Sequence, residues 1–364
     1  MVKRLIIAGG GHAHLHTLRR LRSFTTAGIA VTLVTPDRFH YYSGMGPGML
    51  GGFYLPEEIR IDVRAMAERG GASCVIGEAA GLDPEARLLR LANGTTLPYD
   101  ALSLNIGSTV ASDWPAGEDI FPVKPIVNLV RARQRLEQLT GGRSPRILVV
   151  GGGAAGVEIA GNSRRLLGNR GEITLVAGTR LLGRFTAAAR AHALKSLAER
   201  RITVLEGVTA SALADHIAHL SDCRTLPFDL AFIAGGVKPS AVLRNFGLPL
   251  APDGSLLVNR FLQSTGSPAI FGGGDCVCLV ERPLDRVGVY AVRQGPVLCE
   301  NLAAVLAGSP LAPFTPQQSY LQILNLGDGT ALMVRNGLAW RGKAAFRLKE
   351  YLDRRFIREY QEDG

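Results

Sequence analysis

Two stretches of the chain carry the same succession of apolar and polar positions. RLIIA (4–8) is a short apolar run rich in β-branched residues, the pattern of a buried strand. Glycines follow, then HAHLHTLRRL with helical spacing, then a second apolar run, IAVTLVTPD (29–37). RILVV (146–150), GGGAAG, VEIAGNSRRLL and EITLVAGTR (172–180) repeat that order, and Gly9 precedes Thr35 by the same number of residues as Gly151 precedes Ala177. Downstream, LPYDALSLNIGS (97–108) matches LPFDLAFIAGG (226–236), each after a stretch that reads as a small β-meander (74–96 and 204–225). Chance does not reproduce the spacing of several elements, so one unit occurs twice.

Alternating strands and helices predict an α/β fold with parallel sheets covered by helices. Ligands of such sheets lie beyond the carboxyl ends of the strands. Residues 237–275 read as shorter strands and turns. Residues 288–307 read as a helix in which Pro296 belongs in a first turn. The remainder reads as strands (YLQILNL, TALMVR) and a closing helix.

Composition narrows the function classes. The net charge of +10 favours anionic partners, but no helix-turn-helix, zinc-finger or RNP pattern accompanies it, which sets nucleic acid aside. The five cysteines, Cys74, Cys223, Cys276, Cys278 and Cys299, form neither C-x-x-C nor C-x-x-x-x-C, so a reduced, intracellular protein is expected. No leader pattern and no apolar run of about 18 residues is seen. The expected location is cytoplasmic.

The glycine turns carry the candidate chemistry. Gly151, Gly153 and Gly156 fit G-x-G-x-x-G between a strand and a helix, where helix N–H groups face phosphates. An NAD site ordinarily has an acid at the end of the next strand. Ala177 stands there, with Arg180 nearby, so Arg180 reads either as a 2′-phosphate ligand or as a solvated charge. The first turn has Gly9 and Gly11 but His14 in the third slot, and its second strand ends Thr35-Pro36-Asp37, so the usual acid is missing or displaced by two. FGGGD brings Asp275 to the first unit's strand ends. His12 and His16 share a helix face and His14 points away, so the three histidines do not converge on a metal. His216 and His219 fall on opposite sides of a meander strand, and Cys276-x-Cys278 is too short for a disulfide. No metal site is expected.

Together these residues resemble the two-dinucleotide-binding flavoproteins of the pyridine nucleotide–disulfide oxidoreductase superfamily, from Val2 to about Gly308. The stretches 36–54 (PDRFHYYSGMGPGMLGGFY), 123–126 (VKPI), 288–302 and 316–356 more closely resemble the flavoprotein dehydrogenases found fused to selenide, water dikinase, relatives of type II NADH dehydrogenases. The chain stops at Gly364, so no kinase domain is expected. The resemblance implies two Rossmann-like domains, the second inserted in the first. These are an FAD-binding domain (1–112 and 244–310), an NAD(P)H-binding domain (113–243) and a small C-terminal α+β region (311–364). It implies an FAD-dependent NAD(P)H dehydrogenase that passes electrons from NADH or NADPH to a quinone or other small acceptor. The family's cysteine motifs are missing, so no redox-active disulfide takes part. A non-catalytic FAD/NAD(P)H redox sensor or partner module linked to selenium metabolism is the alternative.

By the same resemblance, FAD is held by Gly9, Gly11, His12 and Ala13 of the turn and by Thr35, Pro36 and Asp37 of the strand end. Ser43, Gly44, Ala79, Asn105 and Gly107 follow, with Gly274, Asp275 and Gln294 from the returning chain. His12 is expected nearer FAD than His14, whose ring should push the helix out or turn into a groove. Gly151, Gly153, Ala155, Gly156, Arg180 and Gly235 are expected on the nicotinamide nucleotide. Glu158 is read either as a catalytic residue near the nicotinamide or as an exposed helix residue. FHYYSGMGPGML covers the isoalloxazine, lines the acceptor channel, or is a glycine-rich surface loop. The closing helix has Ala345, Leu348, Leu352 and Phe356 on one stripe among Lys and Arg. That stripe docks on the core or lies peripherally on the inner face of a membrane, near a quinone.

Overall fold

The computed structural model describes residues 2–110, 114, 117–141 and 144–361. The proposed domain boundary at 112/113 lies outside them. Two five-stranded, all-parallel sheets carry the architecture. The first has the order Ile270–Gly272, Ala101–Leu104, Arg4–Ala8, Ala30–Thr35, Ser73–Ile76. The second runs Ile120–Pro122, Leu230–Ile233, Arg146–Val150, Glu172–Val176, Ile202–Leu205. Their central strands are buried nearly throughout, as strands covered on both faces must be. The edge strands differ in origin. The first sheet takes its edge from the returning chain, the second from the segment that enters it.

In each unit a three-stranded antiparallel meander precedes the sheet strand Ala101–Leu104 or Leu230–Ile233. Ser108–Val110 and Val237–Pro239, which leave equivalent strands, pair antiparallel and join the units. His216 sits at a positive φ in the turn before Ile217–Leu220, not within the meander strand expected for it.

The helix Gly288–Ala307 departs from expectation at Pro296, which lies deep inside it. The proline ring removes the N–H that would reach the Val292 carbonyl. The cost is accepted where the helix packs hard on the helix His12–Arg19. A Cβ at neighbouring Gly295 would lie 3.2 Å from the Ala13 carbonyl oxygen.

The C-terminal segment forms an antiparallel sheet of Gln322–Asn325, Ala331–Arg335 and Leu338–Gly342, the last strand unforeseen, and the closing helix Lys343–Gln361. Its sheet docks on the second unit through Arg341–Glu199 (2.9 Å) and an Arg200 bond to the Leu326 carbonyl. Its helix returns to the first unit through Arg354–Glu58 (3.2 Å), Arg19–Glu359 (2.8 Å) and Gln361 Nε2 to the Arg60 carbonyl (2.8 Å). The helix buries Ala345, Asp353, Ile357 and Tyr360, with Phe356 half-buried, while Leu348 and Leu352 face out. The expected stripe is therefore rotated: an ion pair, not leucine, points inward. No helix among the described residues is long and apolar enough to cross a membrane.

Candidate active site

The first glycine turn is closed by side chains. Gly9 has φ +98°, and any Cβ there would overlap the Asn105 carbonyl. A Cβ on Gly11 would run into the Asn105 side chain. Asn105 Oδ1 accepts from the Ala13 N–H (3.2 Å) and Nδ2 donates to the Gly273 carbonyl (2.6 Å). Gln294 Oε1 accepts from the Gly274 N–H (2.7 Å). The turn, the GGGD strand and the long helix are thereby knit into one rim, and a recess lined by Gly274, Asp275, Arg286, Tyr290 and Gln294 opens over it.

His14 neither pushes the helix out nor turns into a groove. Its ring is fully buried beneath the helix, with Nδ1 2.6 Å from the Gly9 carbonyl oxygen and Nε2 2.7 Å from Ser103 Oγ. A carbonyl only accepts, so Nδ1 carries the proton and Nε2 accepts from the serine. Burial lowers its pKa to about 4, against a smaller opposing effect of the Gly9 carbonyl.

His12 turns the other way. Its Nδ1 lies 3.1 Å from His40 Nε2, and its ring stacks on Phe356 of the closing helix at 6.0 Å. Burial, then the Lys124 charge, lowers His12 to about 4. His40 is held well below its ordinary value by burial, His12 and Lys124. Nε2 of His12 is buried without a partner.

Asp275 accepts from Ser108 Oγ (2.7 Å) and Lys124 Nζ (2.6 Å). Lys124 follows the second sheet's edge strand and Asp275 the first sheet's, so this ion pair bridges equivalent ends of the two units. Cys276, beside Asp275, is buried against the Leu104 and Gly273 carbonyls, and burial pushes its thiol to about 11. It is an inert thiol. Among the described residues no group of three or more His, Cys, Asp or Glu is arranged to hold a metal.

The stretch FHYYSGMGPGML folds as a strand, Phe39–Tyr41, and a short buried helix, Gly46–Leu50, rather than as a surface loop. Ser43 faces Gly288 at the start of the long helix. The Gly44 carbonyl accepts from Lys349 Nζ at 2.9 Å. Thr35 Oγ1 donates to the Asp37 carbonyl and Asp37 Oδ1 accepts from the Phe39 N–H, both at 3.0 Å. Pro36 is exposed between them, and Ala79 opens the first meander.

The second turn is tighter in its backbone and more open at its mouth. A Cβ on Gly151 (φ +127°) would overlap the Ala234 carbonyl, and one on Gly156 would overlap the Gly151 carbonyl. Around Gly153 and Gly235 a Cβ would meet nothing within 4 Å; Ala155 and Arg180 are exposed.

Glu158, two residues past Gly156, is no solvated helix residue. Its Oε1 accepts from the Asn325 N–H (2.7 Å) of the C-terminal sheet. Burial raises its carboxyl to about 7, while Lys349 and the Asn325 bond pull it down and Asp353 pushes it up. Lys349 Nζ reaches Asp353 Oδ2 at 2.9 Å, and Tyr42 donates to Asp353 Oδ1 at 2.9 Å. Burial opposes the Lys349 charge, but Asp353 and Glu158 hold its pKa up. Burial, then Asp353, keeps Tyr42 well above its ordinary value.

Sequence reading missed Lys124, Tyr42, His40, Lys349 and Asp353. Lys349 and Asp353 stand at i, i+4 on the closing helix, the spacing of a helical ion pair, and VKPI carried Lys124 in plain sight.

A dinucleotide fits these residues. The glycines provide backbone that no side chain could replace, open ground lies over Gly153 and Gly235, and His12 Nε2 is an orphaned donor or acceptor at the first turn. Two parallel sheets with glycine turns at their carboxyl ends, facing one another through an ion pair, define a protein with two dinucleotide sites.

The pyridine nucleotide-disulphide oxidoreductase family model matches residues 3–297, and the chain belongs to that family. It is 27% identical to ferroptosis suppressor protein 1 of Taeniopygia guttata over 90% of this chain and 87% of that protein. It is 27% identical to the demethylphylloquinone reductase NdbB of Synechocystis sp. over 94% of this chain and 89% of that one. NDH2 of Plasmodium falciparum, solved with NADH, superposes with TM-score 0.83 at 15% identity, covering 100% of this chain and 97% of that one. The protein is an FAD-dependent NAD(P)H oxidoreductase.

Proposed function

We propose that this enzyme passes electrons from NAD(P)H to a quinone, with FAD in the first unit and the nicotinamide nucleotide in the second. When bound, FAD supplies the two-electron relay between the nicotinamide and the acceptor. Residues 1–112 and 244–310 form the FAD-binding part, 113–243 the nucleotide-binding insertion and 311–364 the acceptor side. Gly9, Gly11, His12 and Gly107 bear on the first dinucleotide, and Gly151, Gly153, Gly156 and Gly235 on the second. Within the family we place the chain beside the flavoprotein dehydrogenases fused to selenide, water dikinase.

The observation that carries this reading is the half-buried group of Glu158, Lys349 and Tyr42 around buried Asp353, set between the two units. Quinone reduction consumes protons as well as electrons. Glu158, its carboxyl raised by burial to about 7, can exchange a proton near neutral pH, as general acid catalysis requires. Lys349 supplies positive charge for a developing quinol oxygen. Asp353 and the Gly44 carbonyl fix the ammonium in place, and Tyr42 holds Asp353. The Synechocystis relative is a demethylphylloquinone reductase, which agrees with this acceptor.

The outward face of the closing helix supports access to a lipid-dissolved quinone. Leu348, Tyr351 and Leu352 are exposed there among Arg347, Arg355 and Arg358, with Trp340 and Leu338 exposed on the preceding strand. Such a face lies in an anionic membrane interface.

The test is anaerobic single turnover. NADH or NADPH should bleach the flavin, and a water-soluble quinone should restore its colour, equally well after alkylation of the exposed thiols. Reoxidation by quinone that never outruns quinone-free buffer would sink the proposal. Co-sedimentation with anionic vesicles that survives Leu348→Glu, Leu352→Glu substitution would remove the membrane face.

A further inference from the structure

We infer that the second turn takes NADPH in preference to NADH. The inference rests on reading the second unit as the nicotinamide site. The strand Glu172–Val176 ends against the glycine turn: a Cβ on Gly152 would lie 2.7 Å from the Ala177 Cβ. The adenosine ribose of a nucleotide on Gly151–Gly156 meets the chain here, where an acid would bond its 2′-hydroxyl. Ala177 offers no carboxylate.

The next strand does bring one. Glu206 follows Ile202–Leu205 and reaches the same loop, but each of its oxygens already holds a partner there. Oε1 accepts from the Leu181 N–H at 2.6 Å and Oε2 from Arg190 at 2.5 Å. Glu206 therefore anchors the loop, and Arg190 offsets its charge. The loop is held on its other side by Leu182 N–H to the Gly152 carbonyl (2.7 Å) and by Gly207 N–H to the Gly178 carbonyl (2.7 Å).

Between these anchors the exposed groups are a hydroxyl and a guanidinium, Thr179 and Arg180. Arg184, farther along, is turned to Asp285 of the first unit (3.6 Å) and leaves Arg180 as the cation of this loop. A hydroxyl and a guanidinium on a fixed loop are donors a phosphate monoester dianion takes. A ribose diol gains little from them. The preference thus comes from what the loop lacks as much as from what it carries.

The test is titration calorimetry of the oxidised, FAD-loaded enzyme with NADP+, NAD+, 2′,5′-ADP and 5′-AMP. NADP+ should bind about tenfold or more tighter than NAD+, the size of one charge-assisted hydrogen bond. 2′,5′-ADP should outbind 5′-AMP by a similar factor, and both ratios should shrink with added salt. Arg180→Ala should collapse the NADP+/NAD+ ratio and Ala177→Asp should invert it. Equal or tighter NAD+ binding, or a ratio indifferent to Arg180→Ala, overturns the inference and leaves the quinone reductase reading standing. A folded, yellow protein that binds none of the four overturns both.

Discussion

The two nucleotide units share strand order and turn geometry, yet they solve one contact in opposite ways. In the second unit Gly156 lets the helix descend until the Gly151 carbonyl fills the space a Cβ would need. In the first, His14 holds that place, and the equivalent carbonyl, of Gly9, bonds its ring. The third glycine of the motif is therefore one of two ways to satisfy a strand-end carbonyl close under a helix. The alternative needs a donor of the right length and a second partner behind it, which Ser103 supplies. Two residues on, the units diverge again. His16 in the first is half-buried beside Arg20 and Arg19, its pKa lowered chiefly by burial and then by those charges. Glu158 in the second is enclosed by the C-terminal segment. Shared topology positions both; the segment that packs on each decides its chemistry.

The sharpest way to break this contrast is at Glu158. Glu158→Gln should lower steady-state quinone reduction about 100-fold, the usual span for a general acid, while flavin bleaching by NAD(P)H proceeds. Loss of bleaching instead would move Glu158 to the nicotinamide step. Lys349→Met should give the same split.

His14→Ala comes next. It leaves a cavity and strands the Gly9 carbonyl, so urea denaturation should show a loss of about 2–4 kcal/mol. His14→Gly, which restores the motif's glycine, should not recover it, because the first helix is not set at the closer distance.

The pH dependence of stability should run in opposite directions in the two units. Glu158 titrates at about 7 in the fold against 4.5 ordinarily. The folded state then holds a proton the unfolded chain releases, so its contribution falls as pH rises through that window and is level above it. His14 titrates at about 4 against 6.5. There the unfolded chain takes up the proton first, so stability is full above 6.5 and is lost as pH falls toward 4. Denaturation curves across pH 4 to 8, for Glu158→Gln and His14→Ala beside the parent, read each slope separately; unchanged slopes would remove both assignments. The smallest effect expected is at the bridge between the units. Lys124→Met should cost roughly 1 kcal/mol, since the pair with Asp275 is only partly withdrawn from water.

The doubled unit was legible because a buried strand, a glycine turn and a helix each leave a local pattern, and repetition of their spacing excludes accident. The parallel sheets and the meanders followed from that, and the closing helix from its own spacing. The Glu158 group was not legible, because Tyr42, Lys349 and Asp353 meet only after the chain end folds back across both units. The closing helix misled for a related reason. Its leucines marked an apolar stripe, but the face turned inward is the one whose Lys349 and Asp353 find partners in Gly44 and Tyr42. Pro296 misled because tertiary packing at Gly295 outweighs a missing helical hydrogen bond.

The division of labour between the units is tested most directly by the flavin content of two turn variants purified side by side. Gly11→Val should come out colourless, because its side chain would collide with Asn105 at the first turn. Gly156→Val should stay yellow and fail to bleach with NAD(P)H. A yellow Gly11→Val beside a colourless Gly156→Val would contradict the account.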